Sequence, residues 1–202
     1  MPHQWLRRLV AALMGITIAI AAHAQTDNGL SAYASCAFPD GLLIVQTDPL
    51  APGAASRAVD TDHGVRQIDL EAGLRVMFAY PDTDFYANVK VERLPAARFD
   101  ELHHALLENF DYMAHGNTVN TAMQSPMNGF EVHGLDRNNM EGGVLGVYLL
   151  FDPPAHTVTT IYFLNQDPPS RKFQTMDQYR ALRDKFLSTY TGCIRTNLKE
   201  GK

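Results

Sequence analysis

The two cysteines of the chain, Cys36 and Cys193, lie near opposite ends of the segment that follows an apolar leader. Neither belongs to a CxxC motif and neither has a histidine beside it, so a redox or nucleophilic thiol is disfavoured. Two cysteines in an exported chain can form a disulfide that the cytosol would reduce. We therefore predict a Cys36–Cys193 bridge that ties the two ends of the domain together, with a pair of free thiols as the alternative.

The leader, residues 1–24, has the three zones of a secretory signal peptide. Arg7 and Arg8 precede an apolar core, and "AHA" precedes Gln25. The pattern predicts cleavage between Ala24 and Gln25 and a periplasmic or secreted location. No cysteine stands at the cleavage point to accept lipid, and no later stretch reaches about 18 uninterrupted apolar residues. Stable membrane insertion is therefore not expected.

The remaining residues, 25–202, have a length that fits a single domain. Loss of the two leader arginines leaves 15 basic residues against 22 acidic ones, a formal charge of −7. Nucleic-acid binding needs clustered lysines and arginines facing the phosphates. The charge therefore predicts that nucleic acid is not a partner.

Short apolar or alternating runs predict several strands in the first half of the chain. Residues 41–47 form an apolar run of strand length, whereas residues 49–64 are the most loop-like stretch. Residues 65–70 and 74–80 flank "EAG", which is a hairpin signal.

The next strand is predicted over residues 85–94, where apolar and polar positions alternate. Its polar positions are Asn88, Lys90 and Glu92, and they should share one solvated face.

An amphipathic helix is predicted from about Pro95 to Ala114, with Gly116 after its end. Its apolar stripe consists of Phe99, Leu102, Leu106, Phe110 and Met113. The polar residues 115–128 that follow predict a long loop.

Three more strands are predicted over residues 129–137, 142–152 and 156–166. Residues 144–151 are apolar at every position, which is typical of a central strand covered on both faces.

The closing helix begins with a capping box, Thr175 with Gln178. Its apolar stripe consists of Tyr179, Leu182, Phe186 and Tyr190. Strands, helix, strands and helix in this order predict an α+β fold: an antiparallel sheet flanked by a helix on each face, an α/β/α sandwich.

The stretches "NVKVERLPAARFDELHHALLENF", "NGFEVHGLDRNNMEGGVLGVYLLF", "TIYFLNQ" and "YRALRDKFLSTY" resemble, in this order, the PsbP-like superfamily, which includes the DcrB-like proteins. The resemblance covers roughly residues 74–190. It rests on a strand that leads into an amphipathic helix, a glycine-aromatic strand start at Gly129 and Phe130, two long apolar strands, and a closing helix that ends in an aromatic residue.

This resemblance implies a PsbP-like sandwich and a small binding, assembly or chaperone-like module that is not an enzyme. It supplies no catalytic residues. The chain departs from the DcrB-like pattern in lacking a lipid-accepting cysteine, and from typical members in its terminal disulfide.

Among the histidines, His103 and His104 lie close to Glu108 in "HHALLE", but the two histidines four apart that a zinc-protease helix needs are missing. We expect His103 at the edge of the apolar stripe. His104 should face solvent beside Glu108.

His133 and Glu131 share one face of a predicted strand, and His156 opens a strand that could lie two away. Three such side chains can gather a metal ion. Nothing in their spacing requires one, so we predict no metal site and no cofactor.

Motifs of enzyme chemistry are also missing. The chain has no GxSxG, no SxxK, no GxGxxG and no P-loop. We therefore predict no catalytic residue. A carboxylate pair in a cleft leaves no motif, so an unrecognised hydrolase or metal-dependent enzyme stays as an alternative.

The best candidate for a partner surface is a set of methionines in polar stretches, Met123, Met127 and Met140. Methionine is an adaptable apolar side chain at protein interfaces. The alternative is that each packs under its own loop. We predict a non-enzymatic exported module that binds another protein, with an immunity or inhibitor protein that neutralises a secreted toxin as the narrower hypothesis. A cell-envelope accessory factor is a further alternative.

Overall fold

The computed structural model describes residues 29–38, 40–51, 56–61, 64–81, 83–115, 120–141, 143–165 and 172–201. The predicted leader and its cleavage point lie outside these ranges.

Nine strands and three α-helices make up the described chain. They are α1 (Ser31–Ala34), β1 (Leu43–Leu50), β2 (Ser56–Thr61), β3 (Gly64–Asp69), β4 (Ala72–Ala79), β5 (Phe85–Arg93), α2 (Ala96–His115), β6 (Asn120–Met127), β7 (Phe130–Arg137), β8 (Val144–Asp152), β9 (Thr157–Asn165) and α3 (Met176–Glu200). A 3-10 turn, Pro153–Ala155, joins β8 to β9.

Seven strands form one sheet in the order β1-β4-β5-β9-β8-β7-β6, and every neighbouring pair is antiparallel. Strands β2 and β3 form a separate two-stranded sheet. The α+β class expected from the order of elements is confirmed, and so is the interior position of β8.

One hydrophobic cluster, here called the α3 cluster, joins α3 to the sheet. Tyr179, Phe186 and Tyr190 of α3 pack there with sheet residues such as Phe78 and Phe163. The rings contact one another closely; the centroids of Phe163 and Phe186, for example, are 5.3 Å apart. Edge-to-face contacts of this kind add to the free energy that burial of the rings contributes.

A second cluster, here called the α2 cluster, joins α2 to the sheet and to the β2–β3 hairpin. Its members include Phe99, Leu102 and Phe110 of α2 and Ile68 of β3. Consecutive residues of β8 alternate between the clusters: Tyr148 and Leu150 belong to the α3 cluster, and Leu149 and Phe151 to the α2 cluster.

Both long helices lie where the sequence patterns place them, but Met113, predicted in the apolar stripe of α2, is exposed by 42% because it lies in the last turn, beyond the α2 cluster. Helix α2 begins one residue after the predicted Pro95 and ends one residue after the predicted Ala114. At the start of α3, Gln178 N–H donates to Thr175 Oγ1 at 3.3 Å, and Gln178 Oε1 accepts from Gln174 N–H at 3.0 Å. The helix then continues past its predicted apolar stripe to Glu200.

The disulfide between Cys36 and Cys193 is present. Its Cα atoms are 5.8 Å apart, and the bridge fastens the segment after α1 to α3. The predicted pairing is confirmed, and it joins positions separated by 157 residues in the chain.

The predicted loop over residues 115–128 is wrong where the structure describes it. Residues 120–127 form β6, an edge strand paired along its length with β7. Asn128 and Gly129 connect the two strands with φ of 50° and 81°. An Asn-Gly pair with both residues at positive φ is the favoured two-residue hairpin turn, so the polar composition of this stretch reflects an edge strand.

The predicted hairpin around "EAG" is also wrong. Strand β3 pairs with β2, whereas β4 pairs with β1 and β5. Residues 56–61, which the sequence placed in a loop, therefore form half of a hairpin. Ile68 and the neighbouring Leu70 bury their side chains in the α2 cluster, so this hairpin packs with α2 as a separate sheet.

Candidate functional site

The three methionines of the predicted partner surface do not lie on a loop together. Met123 and Met127 lie on β6, and Met140 lies in the turn between β7 and β8. All three are half-buried and pack against the α3 cluster. Their side chains therefore contribute to the packing of the α3 cluster, and each keeps some exposed surface. Met123 and Met127 do this from a strand, not from under a loop of their own as the alternative expected.

The larger exposed apolar side chains lie elsewhere. On the edge strand β1, Leu43, Ile44 and Val45 are exposed by 52%, 36% and 51%. An edge strand offers unpaired backbone groups to another chain. Pro49 and Asp48 on the same strand are the kinds of residue that limit such pairing, so the apolar end of β1 is its more accessible part.

A row of side chains that we call the open row crosses four strands of the sheet. Gln46 of β1 is paired with Met77 of β4, Met77 with Asn88 of β5, and Asn88 with Tyr162 of β9. Gln46 and Asn88 are exposed, Met77 is half-buried, and Tyr162 is exposed by 42%.

The residues on either side of the open row are buried. Val76 and Phe78 of β4, and Ile161 and Phe163 of β9, are completely inaccessible and belong to the α3 cluster. Successive side chains of a strand point to opposite faces of the sheet. The open row therefore lies on the face away from the α3 cluster, where the α2 cluster does not include it.

The charge beside the open row is mixed. Arg75 is exposed and is paired with Lys90 on β5. Lys90 Nζ lies 2.6 Å from Glu92 Oε1. Glu92 is fully buried, so the prediction that it shares a solvated face with Asn88 and Lys90 is wrong. Its charge is paired with Lys90 as a buried carboxylate requires.

A second polar group, here called the Asp136 cluster, is buried between α3 and the sheet. Arg183 of α3 forms an ion pair with Asp136 of β7 through Nη1 and Oδ2. Tyr148 donates its hydroxyl to Asp136 Oδ1 at 2.5 Å, and Tyr179 donates to the same oxygen at 2.9 Å. Arg183 Nη1 also donates to Tyr148 Oη at 2.8 Å.

Two glycines make room for this cluster. A Cβ at Gly134 would collide with the ring of Tyr148, and a Cβ at Gly146 would collide with the hydroxyl of Tyr179. The sheet is thus bare of side chains where the two tyrosines lie, which allows their hydroxyls to reach Asp136.

The pKa values in the Asp136 cluster favour its present charge state. Burial, then the charge of Asp136, raises the pKa of Tyr148 well above its ordinary value. Burial and the neighbouring Tyr148 and Asp136 do the same to the pKa of Tyr179. Burial lowers the pKa of Arg183, but Tyr148, Asp184 and Asp136 outweigh it and raise that pKa. The two phenols are therefore neutral and the guanidinium is charged. In this charge state each of the three groups donates to Asp136, and the cluster stabilises the fold.

A third polar group joins α2 to β7. His103 Nε2 lies 2.9 Å from Glu131 Oε2, and His133 Nε2 lies 2.7 Å from Glu131 Oε1. Burial raises the pKa of Glu131, but its hydrogen bonds with His133 and His103 outweigh that and lower the pKa below its ordinary value. The carboxylate of Glu131 therefore stays ionised between the two rings.

The structure rearranges the histidine groups weighed from the sequence. His104 Nε2 pairs with Glu108 Oε1 at 3.0 Å in solvent, as expected. Glu131 bonds to His133 as their shared face suggested, but its other partner is His103, while His156 lies against the ring of Phe99. Within the part of the chain that the structure describes, no three His, Cys, Asp or Glu side chains could hold a metal ion.

The two groups that sequence reasoning missed join residues far apart in the chain. Asp136 and Arg183 are separated by 47 positions, and His103 and Glu131 by 28. The sequence held one signal for the Asp136 cluster: Arg183 falls beside Tyr179 and Phe186 on the buried side of α3. For the open row the signal was Tyr162, an amphipathic residue in the apolar run from Ile161 to Leu164 of β9.

No helix within the described ranges is long and apolar enough to cross a membrane. Comparison of the chain with protein-family models, with curated proteins and with solved structures finds no match. The resemblance to the PsbP-like superfamily therefore stays a prediction, which rests on the pattern of residues quoted above.

Proposed function

We propose that this chain is an exported, non-enzymatic module that binds another protein, built as a PsbP-like sandwich with α2 and α3 on opposite faces of the sheet. The alternation of β8 residues between the α2 and α3 clusters supports that arrangement, because adjacent side chains of a strand point to opposite faces.

Export is supported by two observations of different kinds. The leader has the charge and apolar zones of a signal peptide. The disulfide between Cys36 and Cys193 is of the kind that persists in an oxidising compartment. The periplasm or the extracellular space is therefore the proposed location.

The open row is the observation that carries the binding role. Tyr162 exposes 42% of its surface on a strand whose neighbouring residues, Ile161 and Phe163, are completely buried. Tyrosine combines a large rigid apolar ring with a polar tip and is enriched where proteins bind tightly. Met77 and Asn88 beside it add an adaptable apolar group and an amide.

The exposed end of β1 extends this surface to the edge of the sheet. Gln46 belongs to both the open row and β1, and Val45 beside it is half exposed. A partner can therefore cover the row and pair with the strand edge in one contact. The immunity or inhibitor hypothesis is the narrower form of this proposal, with a secreted toxin as the partner.

Site-specific photocrosslinking in the producing cell tests the proposal. A benzophenone amino acid is placed at Asn88 or Tyr162 in the open row, at Met123 or Met127 on β6, and at the exposed Asp184 of α3 as a control. We expect one discrete crosslinked protein from the open-row positions and none from the control. Tyr162→Ser should abolish that product from the Asn88 position while the protein stays folded, as its thermal unfolding transition shows.

The methionine positions distinguish the two candidate surfaces. A discrete product from Met123 or Met127 alone would contradict the open row and return the binding site to the surface predicted from the sequence. No discrete product from any position, with the protein folded and exported, would contradict the binding role itself.

A further inference from the structure

We propose that His103, Glu131 and His133 form an acid-sensitive latch that fastens α2 to β7 and releases it when the carboxylate of Glu131 is protonated. This role is independent of the binding function proposed above.

The geometry of the latch is a carboxylate shared by two rings. Each oxygen of Glu131 is within 3.0 Å of one imidazole, at 2.9 Å for His103 Nε2 and 2.7 Å for His133 Nε2. His103 comes from α2, whereas Glu131 and His133 come from β7. The contact therefore joins two elements that also pack against each other through Leu135 of β7 in the α2 cluster.

The surroundings of the rings are mostly apolar. The ring of Phe151 on β8 lies edge-on to both histidine rings, with its centroid 4.4 Å from that of His103 and 6.1 Å from that of His133. Phe99, one turn earlier on α2, stacks on His103 at 6.0 Å. An ion pair that one wall shields from water is stronger than one in solvent.

Other polar and titratable residues lie near the latch on β6, after the 3-10 turn and on α2. On β6, Gln124 is paired with His133 and Pro126 with Glu131. After the 3-10 turn, His156 contacts Phe99. On α2, Glu101 is bonded to Arg98 at 2.7 Å, and His104 is bonded to Glu108 on the exposed side.

Acid removes the charge that Glu131 presents to the two rings. With Glu131 ionised, each ring donates an Nε2–H to a carboxylate oxygen whether the ring is neutral or charged. Once Glu131 is protonated, its carboxyl group carries no charge, and the attraction between the carboxylate and the two ring N–H groups that joins α2 to β7 is lost.

The pH range follows from the direction of the shift at Glu131. Its folded-state pKa lies below the ordinary value of 4.5. A carboxylate of this kind stabilises the folded state above its unfolded pKa, and that stabilisation is lost as the pH falls through the folded pKa. The latch therefore holds at neutral pH and opens below 4.5.

Amide hydrogen exchange of the mature protein, corrected for the intrinsic exchange rate at each pH, tests the latch. We expect the protection of α2 to fall about tenfold more than that of α3 between about pH 6 and about pH 3.5. Glu131→Gln should lower α2 protection about fivefold at the higher pH and remove the extra acid-induced loss. The matched control is Glu108→Gln, which disrupts the exposed pair with His104 on the same helix and should change α2 protection less than about twofold.

His103→Gln provides a second variant if Glu131→Gln does not fold. Its amide can still donate to Glu131 but cannot become a cation, so protection at neutral pH should be retained and the extra acid-induced loss should shrink. The latch is overturned if α2 and α3 lose protection together at every pH, or if Glu108→Gln and Glu131→Gln have the same effect.

Discussion

The two hydrophobic clusters of this protein hold their helices by different means. Helix α3 packs a set of aromatic rings on the sheet, buries the Asp136 cluster and carries one half of the disulfide. Helix α2 packs on fewer strands, is fastened by the half-exposed His103–Glu131 contact, and leaves the open row uncovered. We call the face of the sheet covered by α3 the closed side and the face that carries α2 and the open row the open side. The buried contacts that stabilise the fold are concentrated on the closed side, and the exposed side chains of the open row lie on the open side.

On the closed side, one arginine of α3 also binds the end of β8 and the turn between β6 and β7. Arg195 donates from Nη1 and Nη2 to the fully buried carboxylate of Asp152 at 2.6 and 3.0 Å. It also donates to the carbonyl oxygens of Asn128 and Gly129 in the β6–β7 turn. One arginine thus ties α3 to both β8 and the hairpin turn.

The largest expected effect comes from removing the disulfide. The double change Cys36→Ser and Cys193→Ser opens a loop of 157 residues, for which chain entropy sets a ceiling of roughly 5 kcal/mol of stability. We expect a loss of a few kcal/mol in urea denaturation of the mature protein. A loss of under about 1 kcal/mol would mean that the bridge does not strengthen the closed side.

Two adjacent residues of β9, one on each face of the sheet, allow a direct comparison of the closed and open sides. Phe163 is fully buried in the α3 cluster and touches the ring of Phe186 at 5.3 Å, whereas Tyr162 is exposed by 42%. Phe163→Ala should lower the free energy of unfolding by about 3–5 kcal/mol. Tyr162→Ala should lower it by about 1 kcal/mol or less. Similar losses for both variants would show that the open row is covered in solution.

Breaking the Asp136 cluster should cost about 3 kcal/mol, because Asp136→Asn leaves the buried guanidinium of Arg183 without its buried charged partner. The control is Asp184→Asn, which removes the other carboxylate bonded to Arg183. The side chain of Asp184 is 64% exposed, so the control should lose under about 1 kcal/mol. Equal losses in chemical denaturation would contradict a structural role for the buried pair.

The smallest expected effect is a gain. Gly192 lies inside α3, and a Cβ there would meet its nearest atom, Asn128 Nδ2, at 3.4 Å. Gly192→Ala should therefore stabilise the protein by about 0.5–1 kcal/mol. Gly134→Ala should do the opposite and cost about 1–3 kcal/mol, since its Cβ would collide with Tyr148. Melting temperatures that move in the same direction would contradict the close packing beneath that ring.

Patterns within one element were predictable from the sequence. Pro95 and Gly116 located the ends of α2 within one residue, the periodicity of Phe99, Leu102 and Phe110 indicated its buried stripe, and the capping box located the start of α3. The uninterrupted apolar run of β8 indicated an interior strand. Strand β6 was missed because an edge strand need not alternate strongly, although the Asn-Gly turn after it was a usable signal.

The candidate surface was less predictable than the fold. Met123 and Met127 were recognised as adaptable groups, but only the pairing of β6 with β7 showed that they pack on the α3 cluster. Asn88 was expected on a solvated face and lies there, whereas Glu92 on the same strand is buried.

The sequence by itself determined the two long helices and most of the strands, because hydrophobic periodicity and caps act over a few residues. Strands β2 and β6 were the exceptions. It also predicted the disulfide, since a chain with two cysteines allows one intramolecular pairing, and the structure confirms the bridge. Tertiary structure alone decided that Asp136 meets Arg183, that Glu131 is shared by His103 and His133, and that Tyr162 stays uncovered. These outcomes depend on strand order and on how far each helix extends over the sheet, which arise from packing between elements that are distant in the chain.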